Sequence, residues 1–129
     1  MAVREIIQLG DPTLWEECAH VGLVEEPGVA ELVRDLDDTL TAFRRANGFG
    51  RGIAAPQIGV VKRVIFVRMT DRSFAGAMIN PQIVWMSDDR VELWDNCFSF
   101  PDLLVRVSRA MRIRVEYMDQ MGNRQVIEA

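Results

Sequence analysis

The sequence predicts an α+β fold in one domain spanning 1–129: one long N-terminal helix followed by antiparallel β-sheets. Three observations predict it. Between Gly28 and Ala46 the apolar residues Val29, Leu32, Val33, Leu36, Leu40 and Phe43 recur at the three-four spacing of one buried helix face. From Val60 onward no helical period returns, and short apolar runs are split by turn residues. Arg112 to Met118 alternates strictly, with Ile113, Val115 and Tyr117 on one face and Arg112, Arg114 and Glu116 on the other, as a half-buried strand does.

Taken in chain order, Gly10-Asp11-Pro12-Thr13-Leu14 reads as a turn. The helix follows, with Pro27 near its start, where a missing N–H costs little, and Asn47-Gly48 at its end. Asp35, Asp37, Asp38 and Arg44 take its outer side. Gly48, Gly50, Gly52 and Gly59, with Pro56 among them, mark backbone in special conformations or backbone that must be closely approached. Val60 to Met69 is a strand, and Asp71-Arg72-Ser73 a turn. Ala77 to Met86 is a strand interrupted at Asn80-Pro81, Arg90 to Trp94 a third and Leu103 to Val107 a short fourth. After the Arg112–Met118 strand, Gly122-Asn123 turns the chain and Gln125 to Ala129 returns as a hairpin partner.

Composition narrows the function classes. Hydrophobic residues make up 49% and charged residues 26%, which is too apolar for a disordered chain. The net charge of -4 offers no basic surface for nucleic acid or an anionic membrane. No apolar run approaches the ~18 residues a spanning helix needs, and Met1 to Gly10 has no apolar core of a secretory signal. A cytoplasmic protein is expected. Two cysteines, Cys18 and Cys97, do not make a disulfide framework, and a reduced thiol or a metal ligand fits better.

Three segments carry potential chemistry. In Gly50-Arg51-Gly52-Ile53-Ala54-Ala55-Pro56-Gln57-Ile58-Gly59, small residues leave backbone against which an extended peptide can pair, beside a carboxamide able to hold an oxyanion. By spacing alone, a tight packing loop is the stronger reading. In Asp95-Asn96-Cys97-Phe98-Ser99-Phe100-Pro101 a thiol sits among polar residues after a strand. It suits a metal ligand or a nucleophile, although a lone cysteine is more often a small buried hydrophobe. Cys18-Ala19-His20 contains the single histidine, but alternate strand positions face opposite ways, and a connecting segment is the better reading. Trp15, Trp85 and Trp94 are expected to pack in the core and at its rim, and the methionines to fill gaps. Arg44-Arg45 and Lys62-Arg63 are expected to be solvated charges.

The first two segments, in this order and separated by Ile79-Asn80-Pro81, resemble the peptide deformylases. That family's first motif, Gly-x-Gly-apolar-Ala-Ala-x-Gln, matches Gly50 through Gln57 in full. Its second, Glu-Gly-Cys-Leu-Ser with an apolar residue and Pro, reads here Asp95 through Pro101. Arg109 and the strand and turn after it also fit, so the resemblance covers essentially the whole chain. It implies that Cys97 ligates a divalent metal, usually iron and often nickel, cobalt or zinc in preparations. It implies that Gln57 and the backbone N–H of Phe98 stabilise the oxyanion formed when water attacks a formyl group. Gly50, Arg51, Gly52 and Asn96 would line the peptide's path. The substrate implied is a formyl-methionyl N-terminus, and the products are formate and a free amine.

Four departures qualify this. Asp95 is shorter than the family's Glu and is not expected to reach as far. Asn96 replaces Gly with a residue that tolerates a left-handed backbone but adds bulk beside the substrate. Phe98 replaces Leu and enlarges the side chain near the cleft. The family's third motif, His-Glu-x-x-His on a C-terminal helix, supplies two metal ligands and the Glu that moves protons, and it does not occur between Met1 and Ala129. A catalytic metal takes about three protein ligands, and unbound water keeps a pKa of about 15.7. The expectation is therefore a deformylase-like chain, a truncated product or a pseudoenzyme, that holds no metal and is inactive alone. The alternatives are a non-catalytic module that binds formyl-methionyl peptides, and part of an enzyme completed by another chain. The apolar strand faces that the helix would fill are expected to be covered by a second copy or a partner.

Overall fold

A computed structural model describes residues 2–129. Helix α1 (Val29–Asn47) runs between two left-handed glycines, Gly28 and Gly48, and the Gly48 N–H closes its last turn on the Arg44 carbonyl. Val29, Leu32, Val33, Leu36 and Leu40 are buried, as their spacing requires, and Phe43 is half-buried.

Asp35 departs from the sequence expectation. It is 4% exposed rather than on the outer face. It receives the Ala2 N–H at 2.7 Å and the Arg4 guanidinium at 3.3 Å, which fixes the N-terminal segment to the helix. Burial raises its pKa, but the positive N-terminus and these hydrogen bonds more than offset this, so the pKa lies below the ordinary carboxylate value. A folded pKa below the unfolded one gives stabilisation that is complete above the unfolded value and lost as pH falls through the folded value. The stability gap between wild type and Asp35→Asn is therefore expected to hold from about pH 7 to about pH 5 and to close below about pH 4. Urea unfolding across that range checks it, and a gap unchanged in acid would contradict it.

Strands β1 (Gly52–Ala54), β2 (Val64–Arg68), β3 (Ala75–Met86), β6 (Ile113–Met118) and β7 (Arg124–Glu128) form one antiparallel sheet in the order β1-β2-β3-β6-β7. Strands β4 (Arg90–Cys97) and β5 (Phe100–Ala110) form a separate two-stranded hairpin. Helix α1 covers one sheet face, where Ile53, Val64, Phe66, Ala77 and Ile79 meet its apolar stripe. On the opposite face Met78, Val115 and Tyr117 are buried, with Ile65, Phe74, Ile113 and Ile127 against them.

Three strands differ from expectation. β2 starts at Val64, because Val61 and Arg63 instead exchange hydrogen bonds with Ala19 of the N-terminal segment. β4 and β5 extend almost to each other, drawn together by pairs such as Leu93↔Val107 and Asp95↔Val105. β3 runs through Asn80-Pro81 instead of breaking, with a register shift against β6 between Ile79 and Gln82.

The shift is held by Asn80, which adopts φ 53°. Its side chain accepts the Val21 N–H at 2.8 Å and donates to the Val21 carbonyl at 2.8 Å. Asn80→Ala leaves both groups of a buried residue unpaired and is expected to cost about 3 kcal/mol. Urea denaturation measures this, and a loss under about 1 kcal/mol would show that solvent replaces the pair.

The tryptophans are not core residues. Trp15 and Trp94 are 82% and 64% exposed, and Trp85, at 37%, lies under the guanidinium groups of Arg112 and Arg114. Lys62 and Arg63 are surface charges near Glu26 and Glu17.

Candidate functional site

The first segment folds in two pieces. Gly52–Ala54 is the outermost strand of the sheet, paired on one side with β2. Ala55–Ile58 then makes one 3-10 turn, with Pro56 in its first turn and left-handed Gly59 closing it through N–H donation to Pro56. This turn carries Gln57 inward. Its Oε1 accepts the Ala54 N–H at 2.9 Å, so its Nε2 faces the other way.

The second segment is the tip of the β4–β5 hairpin, with Cys97 the last residue of β4 and Phe98-Ser99 the turn. Here the two segments meet across 40 residues of chain: Gln57 Nε2 lies 3.2 Å from Cys97 Sγ. The same nitrogen donates to Ser99 Oγ at 3.0 Å. A carboxamide nitrogen has two hydrogens, and both are directed.

An N-terminal strap joins the segments from behind. The Ile7 N–H donates to the Gln57 carbonyl at 2.7 Å, and the Leu9 N–H donates to the Ser99 carbonyl at 2.8 Å. Between them the Gln8 carboxamide donates to the Phe98 carbonyl at 3.3 Å. Nothing in the sequence pattern marks Gln8 for this task. Ser99 was visible as a motif residue without an assigned contact.

In front of the thiol lies a cleft of about 830 Å³. Gly50, Arg51, Gly52, Asn96, Cys97 and Phe98 line it, and Gln57 reaches it through Cys97. Asp95 accepts from Arg109 at 2.9 Å across the hairpin. Asn96 is not left-handed; among the described residues the left-handed asparagine is Asn80. The Asn96 carboxamide turns away to the Pro101 carbonyl at 3.3 Å. Phe98 lines the cleft and is otherwise buried, with its ring stacked on Phe43 at 3.9 Å and 13°.

The donor set does not fit a complete metal site. Among the described residues no three His, Cys, Asp or Glu side chains gather where one ion could reach them all. Cys97 is the thiol at the cleft, while His20 lies against Asn80, at 3.2 Å. What these groups can do is hold a peptide backbone along β1 and present N–H donors to a carbonyl oxygen beside the thiol.

On the second sheet face an apolar groove of about 860 Å³ runs past Ile65, Met78, Val115 and Ile127. It shares Met69, Ile83 and Ile113 with a cavity of about 680 Å³ beneath the hairpin, which in turn shares Arg51, Asp95 and Arg109 with the cleft. The three cavities are neighbours along the molecule through these shared residues. No helix among the described residues is long and apolar enough to cross a membrane.

The family model described as polypeptide deformylase matches residues 3–129. The peptide deformylase of Thermomicrobium roseum is 40% identical over 129 residues, which cover 95% of this chain and 69% of that protein. That of Heliobacterium modesticaldum is 37% identical, over 99% of this chain and 79% of that protein. Among solved structures, the Ehrlichia chaffeensis peptide deformylase in complex with actinonin superposes with a TM-score of 0.88 at 32% identity, over 100% of this chain and 76% of that one.

Proposed function

The chain belongs to the polypeptide deformylase family, and from that premise we propose that it contributes the peptide-holding and oxyanion-binding half of a site that removes formyl groups from formyl-methionyl peptides. The observation that carries this is the Gln57 N–H directed at Cys97 Sγ at the head of the cleft. The peptide lies beside Gly50, Arg51 and Gly52 and adds to the free edge of β1, its formyl group at the thiol. When water adds to the formyl carbon, negative charge grows on its oxygen. The Gln57 N–H already directed toward the thiol and the cleft meets that oxygen beside the sulfur, and the Phe98 N–H is the second donor. Collapse of the tetrahedral species releases formate and a free amine.

The family's reaction is metal-dependent, and the described residues do not make a metal site. We therefore propose that residues 1–129 hydrolyse nothing by themselves, and that further ligands and a general base come to Cys97 from other polypeptide. The apolar groove supports this reading: an apolar helix face seated between Ile65, Met78, Val115 and Ile127 would lie next to the cavity that borders the cleft. A second copy of the chain is the competing occupant, and sedimentation at high micromolar concentration separates the two.

Formate release from a formyl-methionyl tripeptide tests the proposal, with iron(II) or nickel(II) supplied without oxygen. The chain alone is expected to give the uncatalysed rate, and the chain with an added amphipathic peptide containing His-Glu-x-x-His a faster one. Turnover by residues 1–129 alone would overturn it.

A further inference from the structure

We propose that Ser99 is a positioning residue for this chemistry: its buried hydroxyl takes one Nε2 hydrogen of Gln57, so that the other is aimed at Cys97 Sγ and the cleft. This rests on the deformylase reading for its consequence, but the geometry it asserts does not.

A Gln side chain ends in a group that can rotate about its last bond, and an oxyanion donor is useful only in one setting of that rotation. Two contacts fix it here. The Ala54 N–H, a donor, requires oxygen opposite it at 2.9 Å. Ser99 Oγ, at 3.0 Å, occupies the line of the inner Nε2 hydrogen. The remaining hydrogen then points to Sγ, 3.2 Å away. If the Ala54 contact were the sole restraint, the carboxamide could pivot about its oxygen and carry Nε2 off the cleft.

Ser99 is itself well placed to act as a fixed point. It is 4% exposed. Its carbonyl accepts the Leu9 N–H at 2.8 Å, and the neighbouring Phe98 is held by the stacked Phe43 ring. Removing the hydroxyl leaves an N–H without an acceptor in a site where water has little access, and the carboxamide will turn to find another. Ser99 does not line the cleft, so its effect passes through Gln57.

The test is nuclear magnetic resonance on the ¹⁵N-labelled chain. The Gln57 side-chain NH2 pair is identified by its loss in Gln57→Glu. Solvent exchange of the Ser99-held hydrogen is expected to be slower than that of the exposed Gln82 and Gln120 side chains by about tenfold, the factor that one hydrogen bond of ordinary net strength gives. Ser99→Ala is expected to remove that protection and Ser99→Thr, which keeps the hydroxyl, to retain it. Equal exchange at Gln57, Gln82 and Gln120 in the wild-type chain would overturn the proposal without recourse to any variant. Protection that survives in a folded Ser99→Ala would overturn it too. A purely structural role would move the melting temperature but leave the Gln57 pair as it is. Formate release does not enter this readout, so failure of the deformylase reading and failure of the positioning role are separately visible.

Discussion

Gly50→Ala is expected to lower the unfolding free energy by about 3 kcal/mol, combining overpacking with backbone strain. Gly50 sits at φ 129°, where a side chain is strained whatever the space around it. A Cβ there would come within 2.5 Å of Phe98 Cζ and 3.3 Å of Arg44 Cγ. The Phe98 ring has no retreat, since Phe43 is stacked on it at 3.9 Å and Phe49 braces Phe43 edge-on at 5.2 Å. The strain therefore passes to the hairpin tip that carries the Phe98 N–H. A double-mutant cycle separates the two contributions. On a Phe98→Leu background, which lacks the clashing atoms, Gly50→Ala should cost only about 1 kcal/mol, the backbone part. Urea unfolding of the four proteins measures this. An undiminished cost on the Phe98→Leu background would show that the clash is not the cause.

The second large effect is on the reaction. In the helix-completed assembly, Gln57→Leu is expected to lower the turnover of a formyl-methionyl tripeptide by about 10²–10³-fold, the usual loss of one oxyanion donor. The carboxamide acts where charge develops, so kcat should fall while KM changes little. The substitution also leaves the Ala54 N–H without its acceptor, so a melting curve accompanies the kinetics. A loss below about tenfold would mean that the Phe98 N–H carries the oxyanion without help.

Much of this site could be read from residue order because its parts are contiguous motifs. Gly50 to Gln57 and Asp95 to Pro101 each fold locally, one as an edge strand and 3-10 turn, the other as a hairpin tip. Their residues needed only to be brought together. The α1 stripe was legible for the same reason, since helical period and burial coincide. What could not be read were contacts made across the fold. Asp35 looks like an outer-face carboxylate by period, and only the returning N-terminal segment shows why it is buried. Asn80 takes the left-handed backbone because β3 must absorb a register shift against a strand far along the chain. Gln8 braces the Phe98 carbonyl from 90 residues away, a separation over which local patterning says nothing. The tryptophans misled because side-chain size sets how much area burial removes, not whether a neighbour is there to bury it.

The central claim is that the described residues bring a thiol and directed N–H donors to one cleft without a complete ligand set among them. The most direct test is the metal-to-protein ratio of the 129-residue chain, purified without oxygen and without a histidine tag. A ratio near zero is predicted, because one thiolate does not hold a divalent ion against water and buffer. A ratio near one ion per chain, lost on Cys97→Ser, would contradict the account and place further ligands within these residues.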